Sequence, residues 1–168
     1  MGAMPMISEV EGDILMSRAE VIAQGVGVND AMASGLARKL QEKFPSMRDH
    51  FHEWCEEANP EPGDIWLWEG NGKTKILNLI TGAAADPGLG RPSRPEKIAV
   101  HRAFRALNKV VADKRLSSIA MAMIGSGVGG IDWLEVRGMM HSQLGELLIP
   151  VFVYVSVLDG MLASEPGM

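Results

Sequence analysis

Two glycine-rich turns hold the residues of this chain best suited to chemistry. Gly25-Val26-Gly27 follows a short apolar run, Val21-Ile22-Ala23, and leads through Asn29 and Asp30 into an amphipathic stretch. Gly125-Ser126-Gly127-Val128-Gly129-Gly130 follows a second apolar run, Ser118 to Ile124, and ends at Asp132 before another amphipathic stretch. Both have the form strand, turn, helix. A helix starting there directs unpaired N–H groups and a partial positive charge at the turn, and the missing side chains let an anion approach. Two such turns on one edge of one sheet could hold the two phosphates of a diphosphate, whereas either alone is equally well a tight connection.

The remaining chemistry-bearing residues are scattered. Gly125, Gly127 and Gly130 satisfy the G-x-G-x-x-G spacing of dinucleotide-binding turns. That pattern wants an acidic residue about 20 positions on, at the end of the next strand. Here the next strand ends near Asp159 and no other follows. A nicotinamide-dinucleotide enzyme, or a nucleotide-signal binder using Gly125–Gly130, is therefore the alternative reading. Gly72-Lys73-Thr74 mimics the end of a P-loop, but Leu67 stands where its first glycine belongs. His50, His52, His101 and His141 do not cluster, so no metal site and no cofactor are expected, and His50 and His52 read as solvated. Cys55 lies on an apolar stripe and reads as core. Trp66 and Trp68 share one face of a strand and are expected against a helix. Trp133, one residue after Asp132, either packs in the core or flanks a ligand. Asp13 either caps the backbone near Met16 and Ser17 or accepts from an exocyclic amine, and its spacing favours the cap.

The elements that must position these residues alternate. Met6–Val10 and Val21–Ala23 read as strands. Met32, Leu36, Leu40 and Phe44 recur every fourth residue and mark a helix capped by Asn29 or Asp30 and ended by Pro45. Ser46 with Asp49 resembles a capping box before the stripe Met47, Phe51, Trp54, Cys55, Ala58. Ile65–Glu69 and Lys75–Thr81 are joined by Gly70-Asn71-Gly72, a hairpin signal. Gly82–Arg94 is a loop rich in Gly, Pro and Ala, and a long helix runs from Ser93 or Pro95 to about Lys114. Ser118–Ile124 is a strand, Asp132 caps the last helix, and Pro150–Leu158 is the last strand. The order β-β-α-α-β-β-α-β-α-β predicts a three-layer α/β/α sandwich with a mixed central sheet.

Length and composition agree with one such domain. The chain has 168 residues, 46% hydrophobic and 22% charged, with 16 Lys and Arg against 21 Asp and Glu. The net charge of −5 does not point to a nucleic-acid target, although Lys39, Lys43, Arg91 and Arg94 could form a local basic rim. The single cysteine excludes an internal disulfide. No apolar run reaches the roughly 18 residues of a membrane span, and Met1–Met6 lacks a secretory pattern. The expectation is a soluble cytoplasmic domain over residues 6–158, with a disordered tail at 159–168.

Taken together, Gly12-Asp13-Ile14, the stretch Ile22-Ala23 to Phe44-Pro45 with its Gly35-Leu36-Ala37 to Lys43-Phe44 helix, the strand Ile76–Thr81, and Ile124-Gly125-Ser126-Gly127 to Asp132-Trp133 resemble a macrodomain. The resemblance covers roughly Val10 to Val155. It is narrower still to the branch of the terminal ADP-ribose protein glycohydrolase and the antitoxin that strips ADP-ribose from DNA. It implies a cleft for ADP-ribose or an ADP-ribosylated macromolecule. Asp13 would take the adenine amino group over Ile14. Gly25, Gly27 and Gly35 would wrap the distal ribose beside Thr81, and Ser126, Gly127, Val128, Gly129 and Gly130, with Trp133 behind, would take the diphosphate. The activities it implies are reading ADP-ribosylated substrates or mono-ADP-ribosyl hydrolysis. The branch places a lysine directly after the Ile-Thr strand end, where this chain has Gly82, and a loop aspartate where it has Gly129. Asn29 and Asp30 are the remaining catalytic candidates. Arg91, Arg94 and Asp86 in the long loop are possible substitutes.

Overall fold

The computed structural model describes residues 6–70, 72–85, 94–127 and 130–168. Its strands are β1 (Ile7–Gly12), β2 (Val21–Gly27), β3 (Ile65–Trp68), β4 (Lys75–Gly82), β5 (Ile119–Met121) and β6 (Val151–Val157). Its helices are α1 (Gly35–Lys43), α2 (Pro45–Ala58), α3 (Lys97–Lys114) and α4 (Trp133–Leu144), with a single 3-10 turn at Ile14–Met16. The element order matches the expectation. One six-stranded sheet runs β1-β6-β5-β2-β4-β3, and only the edge strand β3 is antiparallel. The carboxyl ends of the five parallel strands therefore share one edge.

Alternation along the strands assigns the two faces. Val21, Ala23, Leu77, Leu79, Ile119, Met121, Val151 and Val153 point towards Val100, Phe104 and Leu107 of α3 and Val136 and Met140 of α4. Ile22, Val26, Ile76, Ile80, Ala120 and Phe152 point towards Leu40 of α1 and Met47 and Phe51 of α2. The two layers of helices bury both faces, which is why the central strands read as continuous apolar runs. Trp66 and Trp68 pack on the second face as expected. Trp66 stacks with Trp54 of α2 at 5.9 Å between centroids, and Trp68 meets Phe44 at 5.5 Å.

Four local expectations are corrected. The first helix begins at Gly35, not at Asn29 or Asp30, because Asn29 and Met32 adopt left-handed backbone (φ 54° and 53°) that a helix cannot continue through. Ser46 and Asp49 form no capping box, since Pro45 is already the first residue of α2. His52 is not solvated: it is half-buried and its Nε2 contacts the Asp30 carbonyl at 2.7 Å, whereas His50 is exposed as expected, with its Nδ1 accepting from Trp68 Nε1 at 3.1 Å. The tail at 159–168 has neither helix nor strand, but it is pinned. Glu165 accepts from Ser17 Oγ (2.5 Å), the Arg18 N–H (2.9 Å) and Tyr154 OH (2.8 Å). The Asp13 N–H donates to the Met161 carbonyl at 2.7 Å.

At the opposite edge, Glu20 ties the strand starts to Lys75 (2.7 Å) and to Ser117 (2.8 Å). Burial alone would raise the Glu20 carboxyl, but hydrogen bonds from Lys75 and Ser117 outweigh it and hold the group below its ordinary value. No described helix is long and apolar enough to cross a membrane.

Candidate functional site

Parallel sheets with helices on both faces open their clefts at the carboxyl edge of the strands. A cavity of about 360 Å³ lies there, beyond β1, β6 and β5. Asp13, Ile14 and Leu15 form one end, Ala122, Met123, Tyr154 and Val155 line the sheet side, and Gly35, Leu36 and Lys39 of α1 lie on the other side. The walls are mainly apolar, which suits a flat ring more than a phosphate.

Asp13 is both a cap and a cavity residue. Its Oδ1 accepts the Leu15 N–H at 3.0 Å and its Oδ2 accepts the Gly160 N–H at 2.9 Å. Each oxygen keeps a second lone pair, so the carboxylate remains an acceptor on the cavity wall. Gly12, beside it, admits no side chain: a Cβ there would lie 2.8 Å from the Ala163 Cβ and 2.9 Å from the Met161 carbonyl.

The first glycine turn is built by Asp30. Its two carboxylate oxygens accept the N–H groups of Gly27 (2.9 Å) and Met32 (2.8 Å). Helix α2 supports the same turn from below, through His52 on the Asp30 carbonyl. Burial pushes the Cys55 thiol up, so it stays protonated. Asn29 is exposed at the tip. Ser34, the N-cap of α1, makes no side-chain cap, so the first N–H groups of α1 stay open beside Gly35 on the cavity wall.

The second turn lies against the first. A Cβ on Gly25 would meet Ile124 at 3.1 Å and Thr81 at 3.2 Å, so β2, β4 and β5 close up here. The turn is tied by Gly130 N–H to the Gly127 carbonyl and Ile131 N–H to the Gly125 carbonyl, both at 2.7 Å, and Ser126 Oγ donates to the Met123 carbonyl at 2.8 Å. The N–H groups of Gly125 and Gly127 donate to no described residue. The helix end behind them is capped by Asp132 as expected, its Oδ1 accepting the Leu134 N–H at 3.1 Å, so a carboxylate of the chain itself already meets the amino end of α4. Trp133 is half-buried and packs on the α3–α4 core. Val128 and Gly129, together with Asp86 and Arg91, lie outside the described residues.

Thr81 is buried and its Oγ1 donates to the Val26 carbonyl at 3.4 Å, so it joins β4 to β2. Sequence reasoning missed four participants. Tyr154 and the tail residue Gly160 reach the Asp13 end, His52 reaches the first turn, and a buried Gln24–Asn78 pair (2.8 Å) joins β2 to β4 under α2. Burial and the bond to Glu165 raise the Tyr154 hydroxyl well above its ordinary value, so it donates at any working pH.

Comparison with known proteins fits this geometry. No family model matches the chain. The solved macrodomain of Mycobacterium tuberculosis DarG superposes with a TM-score of 0.78 at 22% identity, covering 89% of this chain and 97% of that one. The fold is that of a macrodomain. Thermosipho africanus DarTG, solved in complex with ADP-ribose, superposes with a TM-score of 0.76 at 25% identity, over 91% of this chain and 42% of that one. In sequence, this chain is 27% identical over 161 residues to the DNA ADP-ribosyl transferase-DNA ADP-ribosyl glycohydrolase fusion protein of Thermosipho africanus, 89% of this chain and 42% of the relative. The chain thus spans about two fifths of the length of the curated relatives it matches.

Proposed function

We propose that this macrodomain binds ADP-ribose carried on a macromolecule, and that reading the modification is its primary activity. The observation that carries the reading is the joined edge itself. An apolar cavity ending in the Asp13 carboxylate runs into two abutting glycine turns, where the N–H groups of Gly125, Gly127 and the start of α1 have no partner among the described residues. That order of apolar slot, acceptor and anion-binding turns matches adenosine followed by a diphosphate. The relatives' names support ADP-ribose on DNA as the modification read.

Reading is preferred to cleavage for two reasons. Gly82 stands at the end of β4, where the resembled branch carries a lysine, and glycine offers no nucleophile or charge. Asp30 has both oxygens bonded to backbone N–H groups of its own turn, which makes it a positioning residue for the loop instead of an unengaged base. Hydrolysis is the second reading, favoured by the glycohydrolase names of relatives that share 23–27% identity. In that reading water oriented near Asn29 does the work.

Calorimetric titration with ADP-ribose, with AMP and NAD as controls, tests the binding claim. Micromolar binding of ADP-ribose, weaker binding of AMP and none of NAD is the expected result. Absence of ADP-ribose binding overturns it. Incubation with an ADP-ribosylated oligonucleotide then separates the two activities: retention without release supports reading, and turnover lost in Asn29→Ala and Asp30→Ala supports hydrolysis.

A further inference from the structure

The charge of this acidic chain is unevenly distributed. Residues 94–115 hold Arg94, Lys97, Arg102, Arg105, Lys109, Lys114 and Arg115 but only two acids, Glu96 and Asp113. That segment is strongly positive while the rest of the chain is more negative than the total of −5 suggests. Most of it is α3. Helical positions advance about 100° each, so Ile98, Arg102, Arg105 and Lys109 fall in one stripe. All four are exposed, Ile98 at 78%.

The stripe has a direction. The amino end of α3 sits at the carboxyl edge of the sheet: the Glu96 N–H donates to the Thr81 carbonyl at 2.8 Å, and a Cβ on Gly125 would lie 3.1 Å from Val100. From that corner, beside both glycine turns, α3 runs down the face of the sheet away from the cleft. Two open grooves follow it, of about 690 Å³ beside Lys97, Ile98 and Arg102 and about 460 Å³ beside Arg102, Arg105 and Trp54. Some of the charge is answered. Lys97 pairs with Glu135 at 2.8 Å, Arg102 with Asp64 at 3.7 Å, and Lys114 with Glu69 at 3.7 Å. Arg105 and Lys109 pair with no described residue, although Arg105 lies on a groove.

We propose that the outer face of α3, with Arg105 and Lys109 at its centre, is the docking surface for the phosphodiester backbone of a nucleic-acid strand whose ADP-ribose occupies the cleft. This rests on the binding reading above and gives the macromolecular half of the ligand a place. A strand leaving the cleft at the distal-ribose end meets Arg94 and Ile98 first and then descends past Arg102, paired with Asp64, to the unpaired Arg105 and Lys109. Elsewhere the negative surface repels the same backbone, so net charge alone misjudges this ligand.

The test uses the whole chain and the double reversal Arg105→Glu/Lys109→Glu, at two exposed positions outside the cleft. The probe is an unmodified single-stranded DNA oligonucleotide followed by fluorescence anisotropy across a salt series. The native chain should bind it with affinity that falls as salt rises. The reversal should weaken binding at least about tenfold and flatten the log–log salt slope by about 1.4, two phosphate contacts at about 0.7 each for single strands. Free ADP-ribose should bind the variant as it binds the native chain. A native chain that binds ADP-ribose but shows no salt-dependent oligonucleotide binding, or a variant that keeps both affinity and slope, overturns the proposal. So does equal capture of anionic phospholipid vesicles, which marks a general polyanion surface. If the oligonucleotide results hold while ADP-ribose fails to bind, the α3 surface stands and the cleft reading falls.

Discussion

At the scale of single residues, the two glycine turns separate crowding from ligand access. Gly130 has no room: a Cβ there would lie 2.5 Å from the Gly125 carbonyl and 2.8 Å from the Gly127 carbonyl, both fixed backbone atoms. Gly127, three residues earlier, has no described atom within 4 Å of its would-be Cβ, and its N–H donates to no described residue. Gly130→Ala is therefore expected to destabilise the fold by about 1–3 kcal/mol through forced backbone movement, lowering Tm by about 2–4 °C per kcal/mol for a chain of this size. Gly127→Ala should leave Tm unchanged yet weaken ADP-ribose binding, because the methyl group stands where a phosphate must approach. Thermal melts paired with calorimetry check both. A Gly127→Ala protein that binds as tightly as the native chain would mean the second turn is only a connection.

At the scale of elements, the first turn is held from below by a helix rather than by its own sequence. His52 of α2 contacts the Asp30 carbonyl, and Asn29 and Met32 keep left-handed backbone around it. His52→Ala should loosen the turn that, in the proposed reading, serves the distal ribose. It should weaken ADP-ribose about 3- to 10-fold, the size of one hydrogen bond of about 0.5–1.5 kcal/mol, and leave AMP binding unmoved. His52→Gln, whose amide can still donate, should restore most of the loss. Calorimetry with the two ligands reads the split, and equal weakening of both would place His52 in the general packing. This contact also shows where sequence reading ends. Element order, helix number and the place of both glycine turns were legible because strands buried on both faces are plainly apolar and glycine pairs break them visibly. The start of α1 was not, because Met32 and Leu36 keep the helical spacing that the carboxylate of Asp30 overrides locally. That Asp13 caps was legible from spacing, although its side chain takes the Leu15 N–H and not that of Met16 or Ser17. Its bond to Gly160 was not, since no pattern links residues 147 positions apart.

At the scale of the whole molecule, the chain closes on itself at the Asp13 end of the cleft. The last ten residues return across the sheet edge so that Gly160 N–H reaches Asp13, Ala163 fills the space over Gly12, and Glu165 gathers Ser17, Arg18 and Tyr154. Lys39 of α1 pairs with Asp159 at 3.0 Å on the same rim, though both are well exposed and the pair adds little. Glu165 is thus the anchor of a strap that orients the Asp13 carboxylate. Glu165→Ala leaves a serine, a tyrosine and a backbone donor without their acceptor, at a cost of about 1–3 kcal/mol in denaturant unfolding. It should speed amide hydrogen exchange at Gly160–Ala163 in the unliganded protein. With ligand, AMP and ADP-ribose should weaken by the same factor, because the strap acts on the adenosine that both share. That common loss is the reverse of the split expected for His52→Ala, so the two variants together divide the cleft into its two ends. If exchange at the strap accelerates and AMP binds undiminished, the strap contributes to folding alone and Asp13 holds its orientation through Leu15.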